Sequence, residues 1–250
     1  MIQSVLKAMK MIELLGSNPA REFSVSEISA CLNLDKGTCT NILKTLASGG
    51  FVQQDGPRKG YKLGYGMYKL TTGSVDNDEL TKIAREDIEL LGRKFNETAM
   101  LSVIRNDKRI SLYSTEPDRN LVVRTSSDKS VYAANTGRVI LANYAPLHQE
   151  KFIIRMGLPS EAEWPEVFND SNPSGALQNA LMQIKRDGYA IQIDSNGIIG
   201  MAAPLFKKGH VAGSIGIYLP IGRMENKTEM LETVIATAGK INRKIDSYRF

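Results

Sequence analysis

The sequence predicts an α+β fold in two parts. An N-terminal winged helix-turn-helix comes first, and a linker helix then leads to a larger antiparallel sheet with helices packed on it. Three observations predict this. The opening third reads helix, helix, short turn, helix and hairpin, in that order. The remainder interleaves apolar strand-like runs with amphipathic helices, the pattern of helices laid on a sheet. Basic charge sits at the front: residues 1 to 75 hold nine Lys/Arg against five Asp/Glu, and residues 76 to 250 hold 23 against 22. A basic first third beside a near-neutral remainder points to a polyanionic partner for that third.

Each element of the first part has a local reason. Residues 2 to 15 form a helix whose apolar stripe is Val5, Leu6, Met9, Ile12 and Leu15. "GSNPARE" breaks it. Ser24 and Glu27 then have the spacing of a capping box, which satisfies the orphan amides of a helix start, and Ile28 and Cys31 follow on one face. "LNL" is a tight connection to a second capped helix. Asp35 is its N-cap, and Cys39, Ile42, Leu43 and Leu46 recur at i, i+3, i+4 and i+7. Gly49-Gly50 ends it. "FVQQD", the turn "GPRKG" and "YKLG" make a short hairpin.

"TTGSVDND" is polar and acidic and marks a boundary. The expected division is residues 1–72 for the first domain, 73–95 for a linker and linker helix, and 96–250 for the second domain. The linker helix carries Leu80, Ile83, Ala84, Leu90, Leu91 and Phe95. In the second domain "TAMLSVIR", "RISLYST" and "LVVRTS" read as strands, and "NTGRVILANYA" and "HQEKFIIRMG" as helices. "EAEWPEVFNDSNPSG" is loop with a turn of helix, and "GALQNALMQIKRDG" is a helix stopped at Gly188. "YAIQI", "GMAAPLF" and "VAGSIGIYLP" are strands. A final helix carries Leu231, Val234, Ile235, Ala238, Ile241 and Ile245.

The 250 residues, 42% of them hydrophobic, can bury a sizeable core. No apolar run approaches the roughly 18 residues of a membrane span, and the N-terminal helix is interleaved with lysines unlike a signal peptide. A cytoplasmic protein with no membrane partner is therefore expected. Cys31 and Cys39 read as small buried hydrophobes, with no histidine near them to complete a metal set. His148 and His210 stand without a nucleophile motif, and the glycines of "GYKLGYG" do not open a helix as a dinucleotide loop would. No catalytic residue, no metal and no cofactor is expected.

The wet face of the helix from Asp35 to Gly50 carries Lys36, Thr38, Thr40, Asn41, Lys44 and Thr45. Asparagine suits adenine edges, threonine a thymine methyl or a phosphate, and lysine a phosphate or guanine. Ser26, at the start of the preceding helix, is placed to donate to phosphate. Arg58, Lys59 and Lys62 arm the hairpin for a groove or backbone. A plain solvated helix face would look similar residue by residue; it is the order of the neighbouring elements that favours double-stranded DNA as the partner.

The chain resembles the IclR-type bacterial transcription regulators over nearly its whole length. The resemblance rests on "SVLKAMKMIELL", "VSEISACLNLDKGTCTNILKTLASGGFV" and "GYKLGYGMYKL" in the first part. In the second it rests on "YAANTGRVILANY", "RDGYAIQIDSNGIIGMAAPLF" and "VAGSIGIYLPIGR". It implies a GAF-like second domain that binds a small-molecule effector, an organic acid or a sugar-derived catabolite. It also implies a homodimer or homotetramer on palindromic DNA, more often repressing than activating. Carried over position by position, the lining would be Leu121, Val123, Asn135 and Thr136, then Gln192, Met201, Gly216 and Tyr218. Arg124, Lys129 and Asp194 would stand at the rim. Read alone, Met201 is equally a core residue and Asn135 equally a helix cap. Where the family usually has Ser-Thr and, one turn later, a basic residue, this chain has Gly37-Thr38 and Asn41. Lys36, Lys44 and the wing must then supply more of the phosphate affinity. The alternative function is a small-molecule sensor that acts through protein partners rather than DNA.

Overall fold

The computed structural model describes residues 2–18, 21–56, 59–67, 79–124 and 126–247. The chain divides into two compact units, Met1–Asn77 and Asp78–Phe250.

The first unit holds α1 (Gln3–Gly16), α2 (Val25–Leu32), α3 (Lys36–Ser48) and the hairpin β1 (Val52–Gln54) and β2 (Tyr61–Leu63). Its core gathers Met11 and Leu15 of α1, Ile28 of α2, Cys39, Leu43 and Leu46 of α3, and Val52 and Tyr61 of the hairpin. α2 starts on a complete capping box. The Ser24 hydroxyl accepts from the Glu27 amide at 3.2 Å, and the Ser24 amide donates to the Glu27 carboxylate at 2.7 Å. Asp35 caps α3 by accepting from the Thr38 amide at 2.7 Å. Gly50 takes φ +72°, the left-handed turn a helix end needs.

Two expectations fail in this unit. Val5 and Met9 are exposed, because the core lies against the face of α1 that carries Met11 and Leu15. Cys31 is exposed on α2; Cys39 alone of the two cysteines is buried, and burial pushes its thiol up.

The second unit is built on one antiparallel sheet. Its strands are β3 (Thr98–Arg105), β4 (Lys108–Ser114), β5 (Asp128–Ser130), β6 (Ala190–Ile193), β7 (Ile198–Lys207) and β8 (His210–Pro220), in the spatial order β5-β4-β3-β8-β7-β6. Of "LVVRTS", the described residues 121–124 and 126 lie in no strand; the short β5 follows them and pairs with the start of β4.

The helices are α4 (Glu79–Phe95), α5 (Asn135–Ala142), α6 (Pro146–Met156), α7 (Pro165–Phe168), α8 (Pro173–Asp187) and α9 (Lys227–Ser247). One face of the sheet packs on α4 and α9 through Ile83, Ile88 and Leu91 against Ile199, Met201, Ile215, Ile217, Val234 and Ile241. α4 is thus part of this unit's core. Ile235 of α9 is exposed, and Met230 takes the buried place before Val234. The other face meets α5, which is buried along its whole length. Among the described residues no helix is long and apolar enough to cross a membrane.

Candidate DNA-reading surface and effector cavity

In the first unit, α3 buries Cys39, Leu43 and Leu46 and leaves Lys36, Asn41 and Lys44 exposed on its other side. Thr38 and Thr40 are half-buried. The Thr38 amide is committed to the Asp35 cap, and the Thr40 hydroxyl donates back to the Lys36 carbonyl at 2.7 Å. Both threonines can therefore offer a methyl or an acceptor, but not a spare donor. Thr38's hydroxyl and amide together hold the Asp35 carboxyl below its usual range, so the cap is ionised at neutral pH.

Ser26 is exposed at the start of α2 and Lys59 is exposed at the wing tip. Arg58 lies outside the described residues. Lys62 pairs with Asp55 across the wing, so part of its charge is already neutralised. That pairing was not expected from the sequence, where Asp55 closes the strand-like run "FVQQD".

In the second unit a cavity of about 150 Å³ opens between the sheet and the N-terminal end of α5. Register builds its floor. Gln192 pairs with Gly200 across β6 and β7, and Gly200 with Tyr218 across β7 and β8. These three positions fall in line on one face. Val123, Ala134 and Asn135 close one side; Asp194, Asn196 and Ile198 close another. Gly200 keeps the space clear, since a Cβ there would come within 2.7 Å of Asn135 Nδ2 and 2.8 Å of Tyr218 Cε1.

The structure brings Val123, Asn135, Gln192 and Tyr218 together in this lining, with Arg124, Lys129 and Asp194 beside them. It does not bring the other four. Leu121 is 67% exposed, in a loop whose carbonyl accepts from Arg223. Met201 faces the α4–α9 core, because successive strand residues point to opposite faces and its neighbour Gly200 holds the cavity side. Gly216 shares the cavity face but lies under α5, where a Cβ would meet Thr136 Cγ2 at 2.8 Å. Thr136 is fully buried, bonded through its hydroxyl to the Tyr218 hydroxyl at 2.9 Å.

Asn135 is the first helical residue of α5 and not its cap. Its Oδ1 accepts from the Thr136 amide, and its Nδ2 has no partner among the described residues. Arg109, Ala133, Ala134, Asn196, Ile198 and Gly200, which nothing in the sequence singles out, also line the cavity.

Comparison with known proteins gives this geometry its setting. Residues 72–243 match the family described as Bacterial transcriptional regulator IclR C-terminal, and residues 4–56 match the IclR helix-turn-helix domain. The chain belongs to the IclR family. IclR-family proteins are transcription regulators and not enzymes. They bind DNA, generally as dimers or tetramers, and are modulated by small organic-acid or sugar-derived effectors, often as repressors.

Among the relatives, the glycerol operon regulatory protein of Streptomyces coelicolor is 26% identical over 260 aligned positions, covering 100% of this chain and 98% of its own. The transcriptional regulator KdgR of Escherichia coli is 25% identical, covering 98% of this chain and 92% of its own. Among solved structures, an IclR regulator from Alicyclobacillus acidocaldarius superposes with a TM-score of 0.76 at 24% identity. It covers 98% of this chain and 99% of its own. An IclR homolog from Microbacterium hydrocarbonoxydans, complexed with 4-hydroxybenzoate, gives 0.73 at 19% identity, covering 97% of each. At those identities the likeness is one of fold. It extends to the helix-turn-helix, the linker helix and the curled antiparallel sheet with packed helices.

Proposed function

We propose that this IclR-family chain is a cytoplasmic repressor. As a homodimer or homotetramer it binds a palindromic operator through the first unit and is released or retained by a small effector in the second unit's cavity. The observation that carries the DNA part is α3: Lys36, Asn41 and Lys44 are exposed opposite a buried Cys39, Leu43 and Leu46. Asn41 reads a base edge and Lys36 and Lys44 meet phosphate or guanine, with Thr38 and Thr40 in apolar contact. Ser26 and Lys59 hold the backbone, helped by Arg58 and by the part of Lys62's charge that Asp55 leaves over.

Two-fold protein symmetry calls for a two-fold symmetric site. Val123, Asn135, Gln192 and Tyr218 line the effector site, with Arg124, Lys129 and Asp194 at its edge. Effector control requires that the effector bind the operator-competent and operator-incompetent states unequally.

The test is selection of duplexes by the full chain from a randomised pool, followed by affinity measurements across a salt series. A palindrome is expected, with affinity falling steeply as salt rises because bound phosphates release counterions. Asn41→Ala should change the selected bases. Lys59→Ala should weaken all sequences alike and flatten the salt slope by about one. A selected sequence that Asn41→Ala leaves unaltered removes Asn41 from the reading set. Binding indifferent to salt favours the sensor that acts through protein partners.

A further inference from the structure

We infer that the cavity takes an anion: Arg109 and Asn135 receive the carboxylate or phosphate of a small hydroxylated molecule, and Arg109 makes the site reject neutral sugars and polyols. This rests on the effector reading and decides within it between an acid and an uncharged catabolite.

Arg109 lies on β4 and is 1% exposed. Nη1 donates to Met100 Sδ at 3.5 Å, Nη2 donates to the Ser126 carbonyl at 3.2 Å, and Nε has no acceptor among the described residues. Arg109 forms no ion pair among the described residues; Asp128, whose charge acts on it, is held by Lys108 at 2.6 Å. A buried cation without a counter-charge is costly, and such groups are normally paired. Burial pulls its pKa down, yet a guanidinium stays protonated at neutral pH.

Beside it, Asn135 Nδ2 is a second buried donor with no acceptor among the described residues. Both side chains border the cavity, and so does the start of α5, whose dipole favours negative charge. The site is therefore rich in donors and short of acceptors, which is what an acid group supplies.

The surrounding charge agrees. Lys129 borders the same space, as does Arg124, which pairs with Glu116 at 3.5 Å; the lining's one carboxylate, Asp194, already accepts from the Asn196 and Ile198 amides at 2.9 and 3.0 Å. Gln192 and Asn196 on that side suit hydroxyls. The volume, about 150 Å³, is below the ~300–1,000 Å³ of pockets for drug-sized ligands, so the occupant is a small metabolite.

The experiment is thermal unfolding of the full chain with D-glycerate, glycerol 3-phosphate or glycerol, which share a three-carbon skeleton, at fixed ionic strength. The carboxylate or the phosphate is expected to raise Tm and glycerol to leave it unmoved; which acid acts tells the two sources of negative charge apart. Arg109→Met is expected to abolish the acid shift while raising the Tm of the ligand-free chain, because it removes an unpaired buried charge. Asn135→Asp, nearly equal in volume, should weaken acid binding at least tenfold.

A glycerol shift equal to the acid shift, or an acid shift that survives Arg109→Met, overturns the assignment. So does a Tm unmoved by all three probes together with an Arg109→Met chain less stable than the native one, which would make Arg109 a structural cation. An acid shift with no change in operator affinity upholds the anion site and sinks the effector reading instead.

Discussion

Asp87 shows what one side chain does for the second unit. It is 2% exposed on α4, and two lysines of α9 reach it, Lys240 at 2.8 Å and Lys244 at 2.6 Å. Burial alone would raise its pKa, but the two ammonium groups outweigh burial and hold it below its ordinary value. Its contribution is therefore present above the unfolded pKa, about 3.9, and is lost as pH falls through the lower folded value. The two directions of mutation are unequal. Asp87→Ala leaves lysines that already stand partly in water, so we expect a loss of about 1.5 kcal/mol. Lys240→Ala with Lys244→Ala leaves a buried carboxylate unpaired, and about 3–5 kcal/mol is expected. Urea midpoints at neutral pH measure both, and between pH 5 and 3 the Asp87→Ala midpoint should fall less than the native one. Arg109 was as hard to read in sequence as Asp87 is plain in structure. In "KRISLYS" it stands beside Lys108 with no local mark of burial, yet in the fold it is buried with its guanidinium against the Ser126 carbonyl and Met100 Sδ.

At the scale of elements, the helix-turn-helix was legible because its punctuation is local. Ser24 with Glu27, and Asp35, announce two helix starts from their own neighbours, and Gly49-Gly50 announces a stop. Which face of an element is buried is not local information. α1 has apolar residues on more than one side, so periodicity alone puts Val5 and Met9 in one stripe with Leu15, while the tertiary core takes Met11 beside Leu15. β7 is apolar on both faces because α9 covers one and α5 the other; with no alternation to read, nothing in the strand itself tells against the carry-over from the family that puts Met201 in the lining. The legible part makes a clean contrast possible on α2. Ser24→Ala removes an acceptor for a helix-start amide and should cost the chain about 1 kcal/mol. Ser26→Ala, two residues on and exposed, should leave the unfolding midpoint in place and lower DNA affinity. A midpoint shift for Ser26→Ala would return that residue to a structural role.

At the scale of the molecule, the two units matter to each other only through a free energy. If an acid in the cavity changes operator affinity by some factor, operator DNA must change acid affinity by the same factor, whatever the path between them. Typical couplings of about 1–3 kcal/mol correspond to roughly 5–150-fold. The expected outcome is specific: D-glycerate or glycerol 3-phosphate, whichever raises Tm, binds the free chain and the operator-bound chain with affinities whose ratio equals the ratio of operator affinities measured with and without it. Gly200→Ala gives the control. Its Cβ would press within 2.7 Å of Asn135 Nδ2 and 2.8 Å of Tyr218 Cε1 and intrude on the cavity, so acid binding should fall while operator affinity without acid stays unchanged. Calorimetric titration of acid into each form, beside anisotropy on the operator duplex, closes the cycle. Unequal ratios would mean that the acid and the operator are not competing for two states of one protein, and that control runs through a change of assembly instead.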